Sequence, residues 1–167
     1  LRIYTRLPPL IGGMEIHIAQ LTKEQIKLGH DVKIYFNKGI KVTSEDVQVA
    51  KLSLYKLRPQ FLGFFIFYFL VFIKLLRNQK KFELIHIHGD WSSLVFTKLI
   101  KKVVGADTVI MTIHDQLSNK FWHKKVFSRL LESVDYIFST GFETANQLNE
   151  LTNKKVIVQP SGIQKIF

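Results

Sequence analysis

Apolar residues follow two rhythms along this chain. Short runs rich in Ile, Val, Leu and Phe alternate with longer segments whose apolar residues recur at helical spacing. Leu1 to Thr5 reads as a strand running into a loop that holds Pro8, Pro9, Gly12 and Gly13. A helix follows at once, with Ile16, Ala19, Gln20, Ile26 and Leu28 along one side and Lys23, Glu24 and Lys27 on a wet face. Gly29 fits a left-handed helix end. Val32 to Phe36 is the next strand, Asn37 to Asp46 a polar loop, and Val47 to Leu52 a short strand. Pro59 opens a helix, since proline is tolerated in a first turn. Beyond it lie a strand (Glu83 to His88), a helix (Ser92 to Val104), a strand (Thr108 to His114), a helix (Phe121 to Glu132) and a strand (Val134 to Ser139). Thr140 and Glu143 have capping-box spacing for another helix, and Lys155 to Gln159 is a last strand.

Strands alternating with helices predict one α/β domain, a Rossmann-like three-layer sandwich with a mostly parallel sheet. There is no internal repeat and no low-complexity segment. In such sheets ligands bind at the carboxyl ends of the strands, beside helix N-termini.

One helix stands apart. Phe61 to Ile73 carries no charge, but a spanning helix needs about twenty apolar residues, so the segment reads as buried or interfacial. Lys74, Arg77, Lys80 and Lys81 follow it. The helix Trp122 to Leu131 likewise sets His123, Lys124, Lys125 and Arg129 beside apolar residues. An apolar stripe with basic flanks suits an anionic membrane surface; packing against the sheet is the alternative. The formal net charge of +11 and the pI near 9.9 favour anionic partners. The basic residues are scattered and no nucleic-acid motif is present, so nucleic acid is not an expected partner. The absence of Cys excludes disulfides and thiolate metal sites, and a reducing cytoplasm fits. The first residue is Leu1, with no signal leader, so the expectation is of a trimmed chain.

Polar and Gly-bearing residues recur at the predicted strand ends: Arg6 to Gly13, His88-Gly89-Asp90-Trp91-Ser92, His114-Asp115-Gln116, Ser139-Thr140-Gly141 and Pro160-Ser161-Gly162. Gly12 and Gly13 allow a phosphate close to a helix N-terminus, or simply make a tight turn. His86 and His88 alternate along one strand and are expected to point to opposite faces, His86 structural and His88 the better ligand contact. His114 also ends a strand. Asp90 or Ser92 suits a helix cap, and Trp91 either stacks on a sugar or packs in the core. His88, His114 and Asp90 lack the spacing of a metal motif, so no metal is expected. Gly12-Gly13 matches neither the G-x-G-x-x-G nor the P-loop pattern, which disfavours ordinary NAD and P-loop chemistry, and no G-x-S-x-G elbow is present.

The stretches PPLIGGMEIHIAQLTKEQIKLGHDVKIY, FELIHIHGDWSS, VIMTIHD, the strand ending FST, and VIVQPSGIQKIF appear in one order over nearly the whole chain. In that order the chain resembles the N-terminal domain of the family 4 (group 1) retaining glycosyltransferases. The resemblance implies half of a GT-B enzyme: an acceptor-side domain over 1–162, the start of an interdomain linker over 163–167, and a donor-binding domain further on. By the same likeness Gly12 and Gly13 face the donor diphosphate. His88 is the catalytic-site histidine that positions the transferred sugar or its reacting hydroxyl, and His114 is a second cleft histidine. Glu15 matches a position often acidic in relatives; it is grouped with Asp90 among substrate contacts, without a role of its own. The family's usual Asn-Gly-Val before the linker is here Ser161-Gly162-Ile163, which loses the amide.

The implied reaction moves a sugar from a nucleoside diphosphate sugar, a co-substrate and not a cofactor, to an acceptor hydroxyl with retention. Cell-surface polysaccharide or glycolipid synthesis is the expected setting, with a sugar or lipid-linked acceptor. The expected place is the cytoplasm, peripherally at the inner membrane face. The family's donor-phosphate Lys or Arg and its E-x7-E stretch have no counterpart, so this domain alone is expected to be close to inactive. The alternative is a non-catalytic acceptor- or membrane-binding subunit of a split glycosyltransferase.

Overall fold

A computed structural model describes residues 1–10, 12–114, 117 and 121–160, with backbone alone for Tyr55, Gln60 and 121–123. Among the described residues the strands are β1 (Arg2–Ile3), β2 (Ile34–Phe36), β3 (Val47–Gln48), β4 (Leu84–His88), β5 (Thr108–Ile113), β6 (Tyr136–Ser139) and β7 (Val156–Val158). The helices are α1 (Gly13–Lys27), α2 (Gln60–Asn78), α3 (Thr97–Val104), α4 (Phe121–Leu131) and α5 (Phe142–Asn149). The strands form one sheet in the order β3-β2-β1-β4-β5-β6-β7, and every pair is parallel. The expected α/β, Rossmann-like architecture is therefore present.

Chain direction decides which face each helix covers. A parallel crossover is right-handed, so the leftward step from β1 to β2 puts α1 on one face, and the rightward steps put α2 to α5 on the other. The core divides accordingly. Ile3, Ile85, Ile87, Val109, Met111 and Ile137 meet Phe67, Val71 and Leu75 of α2, Ile100 of α3, Phe127 of α4 and Leu148 of α5. On the opposite face Tyr4, Ile34 and Phe36 meet Ile18 of α1. Each fully buried Leu, Ile or Phe contributes roughly 1.5–3 kcal/mol, so the larger cluster dominates stability.

Four local expectations change. The helix expected over 92–104 is split: Trp91–Leu94 is a tighter turn and α3 begins at Thr97. The reason is that Asp90 accepts from the Ser92 N–H and hydroxyl, which winds this stretch more tightly. The capping box at Thr140 does not form: α5 starts from Gly141 with no side-chain cap. The Thr140 hydroxyl instead donates to the His114 carbonyl at 3.5 Å. His86 and His88 share a face, with ring centroids 4.1 Å apart, because residues two apart in a pleated strand point the same way. Finally, the outer strands are shorter than their apolar runs, although Tyr4 N–H still donates to Tyr35 O at 3.1 Å beyond the end of β1.

The aromatic helix packs against the sheet along one face, the alternative to a membrane role. One face of α2 (Phe67, Tyr68, Val71, Leu75) is buried in the core, while Phe61, Leu62, Phe65, Phe69 and Leu76 face outward. By length and composition Phe61–Asn78 could cross a membrane, yet its inner face is part of the domain core.

Candidate active site

Parallel register places the candidate residues. Arg2 pairs with His86, and His88 with Thr112. Paired residues of parallel strands point to the same side, so Arg2, Tyr4, His86, His88 and Thr112 share the α1 face, with Tyr4, His88 and Thr112 toward the carboxyl edge. The Tyr4 ring meets His88 edge-on at 6.1 Å. His86 Nε2 lies 2.8 Å from Thr112 Oγ1. Just past the end of β5, His114 brings its Nε2 to 3.3 Å from His88 Nδ1, and the two rings stack at 5.6 Å. His17, from the second turn of α1, puts its ring 6.0 Å from that of His114. The histidines thus form a row across the sheet edge, and among the described residues no metal-ligand cluster occurs.

Three of these rings are held neutral. Burial pushes His88 well below the ordinary histidine range, with the neighbouring His86 and Arg2 adding to it. His86 is lowered by burial and then by Arg2, and His17 for the same two reasons, less strongly. Arg2 itself is buried against α1, where it donates to the Thr22 hydroxyl, to Gln25 Oε1 at 2.7 Å and to the Ile18 carbonyl at 3.4 Å. Burial lowers it to about 10, so it keeps its charge at neutral pH. His88 is only 1% exposed, and its Nε2 has no hydrogen-bond partner among the described residues. A buried polar atom left unpaired costs about 1–3 kcal/mol. A neutral imidazole with Nδ1 committed to His114 leaves Nε2 able to donate or accept one further bond.

The glycine loop is more particular than expected. Glu15 is 1% exposed, and its carboxylate folds back over Gly12. A Cβ on Gly12 would lie 2.0 Å from Glu15 Oε2. Arg6 Nε sits 2.8 Å from Glu15 Oε1, and the Tyr4 hydroxyl donates to the same oxygen at 3.3 Å. Burial raises that phenol to about 12. The protein's own carboxylate therefore packs against Gly12 at the start of α1. Gly13 faces open space, so any close approach of a ligand to this backbone falls there.

Asp90 acts as the cap: its Oδ1 accepts from Ser92 N at 3.0 Å. Trp91 is half-buried against the main core. Asp115, Gln116 and Ser161 to Ile163, like the 162/163 boundary, lie outside the described residues. Sequence reasoning missed Tyr4, Thr112 and His17. The period-two run Arg2-Tyr4-Arg6 on the first strand was the available signal for Tyr4. No local pattern points to His17, whose partner lies in a distant segment.

Comparison with known proteins adds two findings. The profile of Glycosyltransferase Family 4 matches residues 11–165. One component of the human phosphatidylinositol N-acetylglucosaminyltransferase is similar at 31% identity over 107 residues, which is 60% of this chain. This chain covers 22% of that relative's length.

Proposed function

The chain belongs to glycosyltransferase family 4, and from that we propose that it forms the N-terminal, acceptor-side half of a retaining enzyme. That enzyme transfers a sugar from a nucleoside diphosphate sugar to a hydroxyl of a lipid or lipid-linked acceptor. It works peripherally at the cytoplasmic face of the inner membrane, in glycolipid or polysaccharide synthesis. The observation that carries the site is His88: neutral, at the carboxyl edge, with one nitrogen on His114 and the other unpaired among the described residues. In the reaction the bond from the anomeric carbon to the diphosphate oxygen breaks and a bond to the acceptor oxygen forms. The diphosphate leaves with the electron pair and takes up the proton of the acceptor hydroxyl. The backbone N–H of Gly13 stabilises its growing charge, and His88 orients the sugar or the reacting hydroxyl. Grip on the far side of the diphosphate comes from a second domain, so this domain alone has little activity.

The lipid acceptor is supported by the outward apolar face of α2 and by the relative, whose name specifies phosphatidylinositol. The test is His88→Ala in the full-length enzyme. Transfer should fall about a hundredfold or more with the circular dichroism spectrum unchanged; wild-type turnover would remove His88 from the site. The anomeric configuration of the product, read by NMR, tests retention.

A further inference from the structure

We propose that the outward face of α2, joined to the segment Val95–Lys102, is a docking surface for an anionic lipid bilayer, which rests on the lipid-acceptor reading above. The inner face of α2 already supplies what the core needs. Its outer face shows Phe61, Phe65, Phe69 and Leu76, each more than 40% exposed, at spacings that keep them along one side of the helix. Val95 and Leu99 are exposed on the neighbouring segment. Phe96 joins the two parts, its ring 4.9 Å from Phe65 and 5.9 Å from Phe69. Single exposed apolar residues are ordinary, but a contiguous ridge marks an interaction surface.

The charges select the occupant. No Asp or Glu occurs from Gln60 to Phe82 or from Trp91 to Ala106. Exposed Arg77, Lys98 and Lys102 border the ridge, whereas Lys80 and Lys101 are engaged by Asp31, Glu45 and Asp135. An aromatic ridge with cations and no anions matches the headgroup layer of an anionic membrane. Because the inner face of α2 is held in the core, the helix lies along the interface and does not cross it. Helices of a parallel sheet run against their strands, so the Phe61 end of α2 lies toward the same edge as His88. Docking there brings the site edge to lipid hydroxyls. Among the described side chains of the second predicted membrane helix, α4 buries Phe127 and Leu131 and exposes Lys125, Val126 and Arg129.

The test is flotation of the full-length protein with phosphatidylcholine vesicles, with and without phosphatidylglycerol. Wild type should float only with the anionic vesicles. Phe65→Ser/Phe69→Ser and, separately, Lys98→Glu/Lys102→Glu should each weaken binding about tenfold or more. The charge variant guards against misfolding, since both lysines are exposed. Turnover on a soluble acceptor should be unchanged in both variants. Absence of binding to anionic vesicles, or binding that both variants leave intact, overturns the proposal. Self-association of wild type lost in the Phe variant, without vesicle binding, overturns it in favour of a second copy. Ridge-dependent vesicle binding without transfer to any lipid acceptor supports docking and overturns the acceptor reading alone.

Discussion

His88 Nδ1 and His114 Nε2 lie 3.3 Å apart on neighbouring strand ends, and this contact sets what the other nitrogen of His88 can do. In a pair of neutral imidazoles one facing nitrogen donates and the other accepts. If His114 donates, His88 Nε2 carries a hydrogen; if His114 accepts, His88 Nε2 is bare. In the proposed reaction His114 is therefore a positioning residue for His88. In the full-length enzyme His114→Gln, which keeps an amide near the Nε2 position, should retain most turnover. His114→Phe keeps a ring but no partner, and should lower kcat on the order of tenfold to a hundredfold with little change in KM. Turnover kept by His114→Phe and lost by His114→Gln would show that only ring packing matters.

The buried histidines also predict an acid-labile fold. The unfolded chain takes up protons near the ordinary 6.5, whereas folded His86 and His88 are held well below it. The unfolded state thus binds more protons below that value, and stability falls as pH drops. Each of these histidines costs about 1.4 kcal/mol per pH unit until its folded pKa is reached. Above pH 7 they contribute no slope. Thermal melts of the full-length protein from about pH 8 to 5 should show this break, and His86→Gln/His88→Gln should flatten it. An unchanged slope in the double variant would assign the acid sensitivity to other groups.

Gly12 and Gly13 should separate stability from function. Gly12→Ala drives a Cβ into the Glu15 carboxylate, so Glu15 must leave Arg6 and Tyr4, at a cost of about 1–3 kcal/mol. Gly13→Ala meets no atom and should be neutral or stabilising by up to about 1 kcal/mol. If the donor diphosphate approaches Gly13, the same substitution raises the KM for donor. Melting curves and donor kinetics on the two variants decide; matching melting temperatures would refute the role given to Glu15.

Asp46 anchors the outer sheet. Its buried carboxylate accepts from the N–H groups of Ile34, Val42 and Thr43 and from the Thr43 hydroxyl. Asp46→Ala leaves those donors unpaired and should cost roughly 3 kcal/mol or more, read as a lower denaturation midpoint. A loss under about 1 kcal/mol would mean that water replaces the carboxylate.

Element order and type were readable from the chain. The alternation of apolar runs with helical periods is a local property, and it placed β4, β5, α2 and the glycine turn at Gly29, whose φ is +87°. The strand-end rule brought His88, His114 and the glycine loop toward one edge on pattern alone. Local pattern failed where side chains compete with the backbone, as Asp90 and Ser92 do at the split helix. It failed too at Thr140, whose hydroxyl turns to the His114 carbonyl instead of capping α5.

What no stretch of sequence carries is which distant atoms meet. Register and crossover handedness decided that His17 of α1 reaches His114, that Tyr4 stands against His88, and that Arg2 is buried beside His86. They also decided that one face of α2 enters the core while the other stays outside. Such pairings join segments far apart along the chain, and periodicity, being local, holds no information about them. Even Glu15 over Gly12, only one helical turn apart, depended on Arg6 and Tyr4 arriving from the strand to hold the carboxylate there.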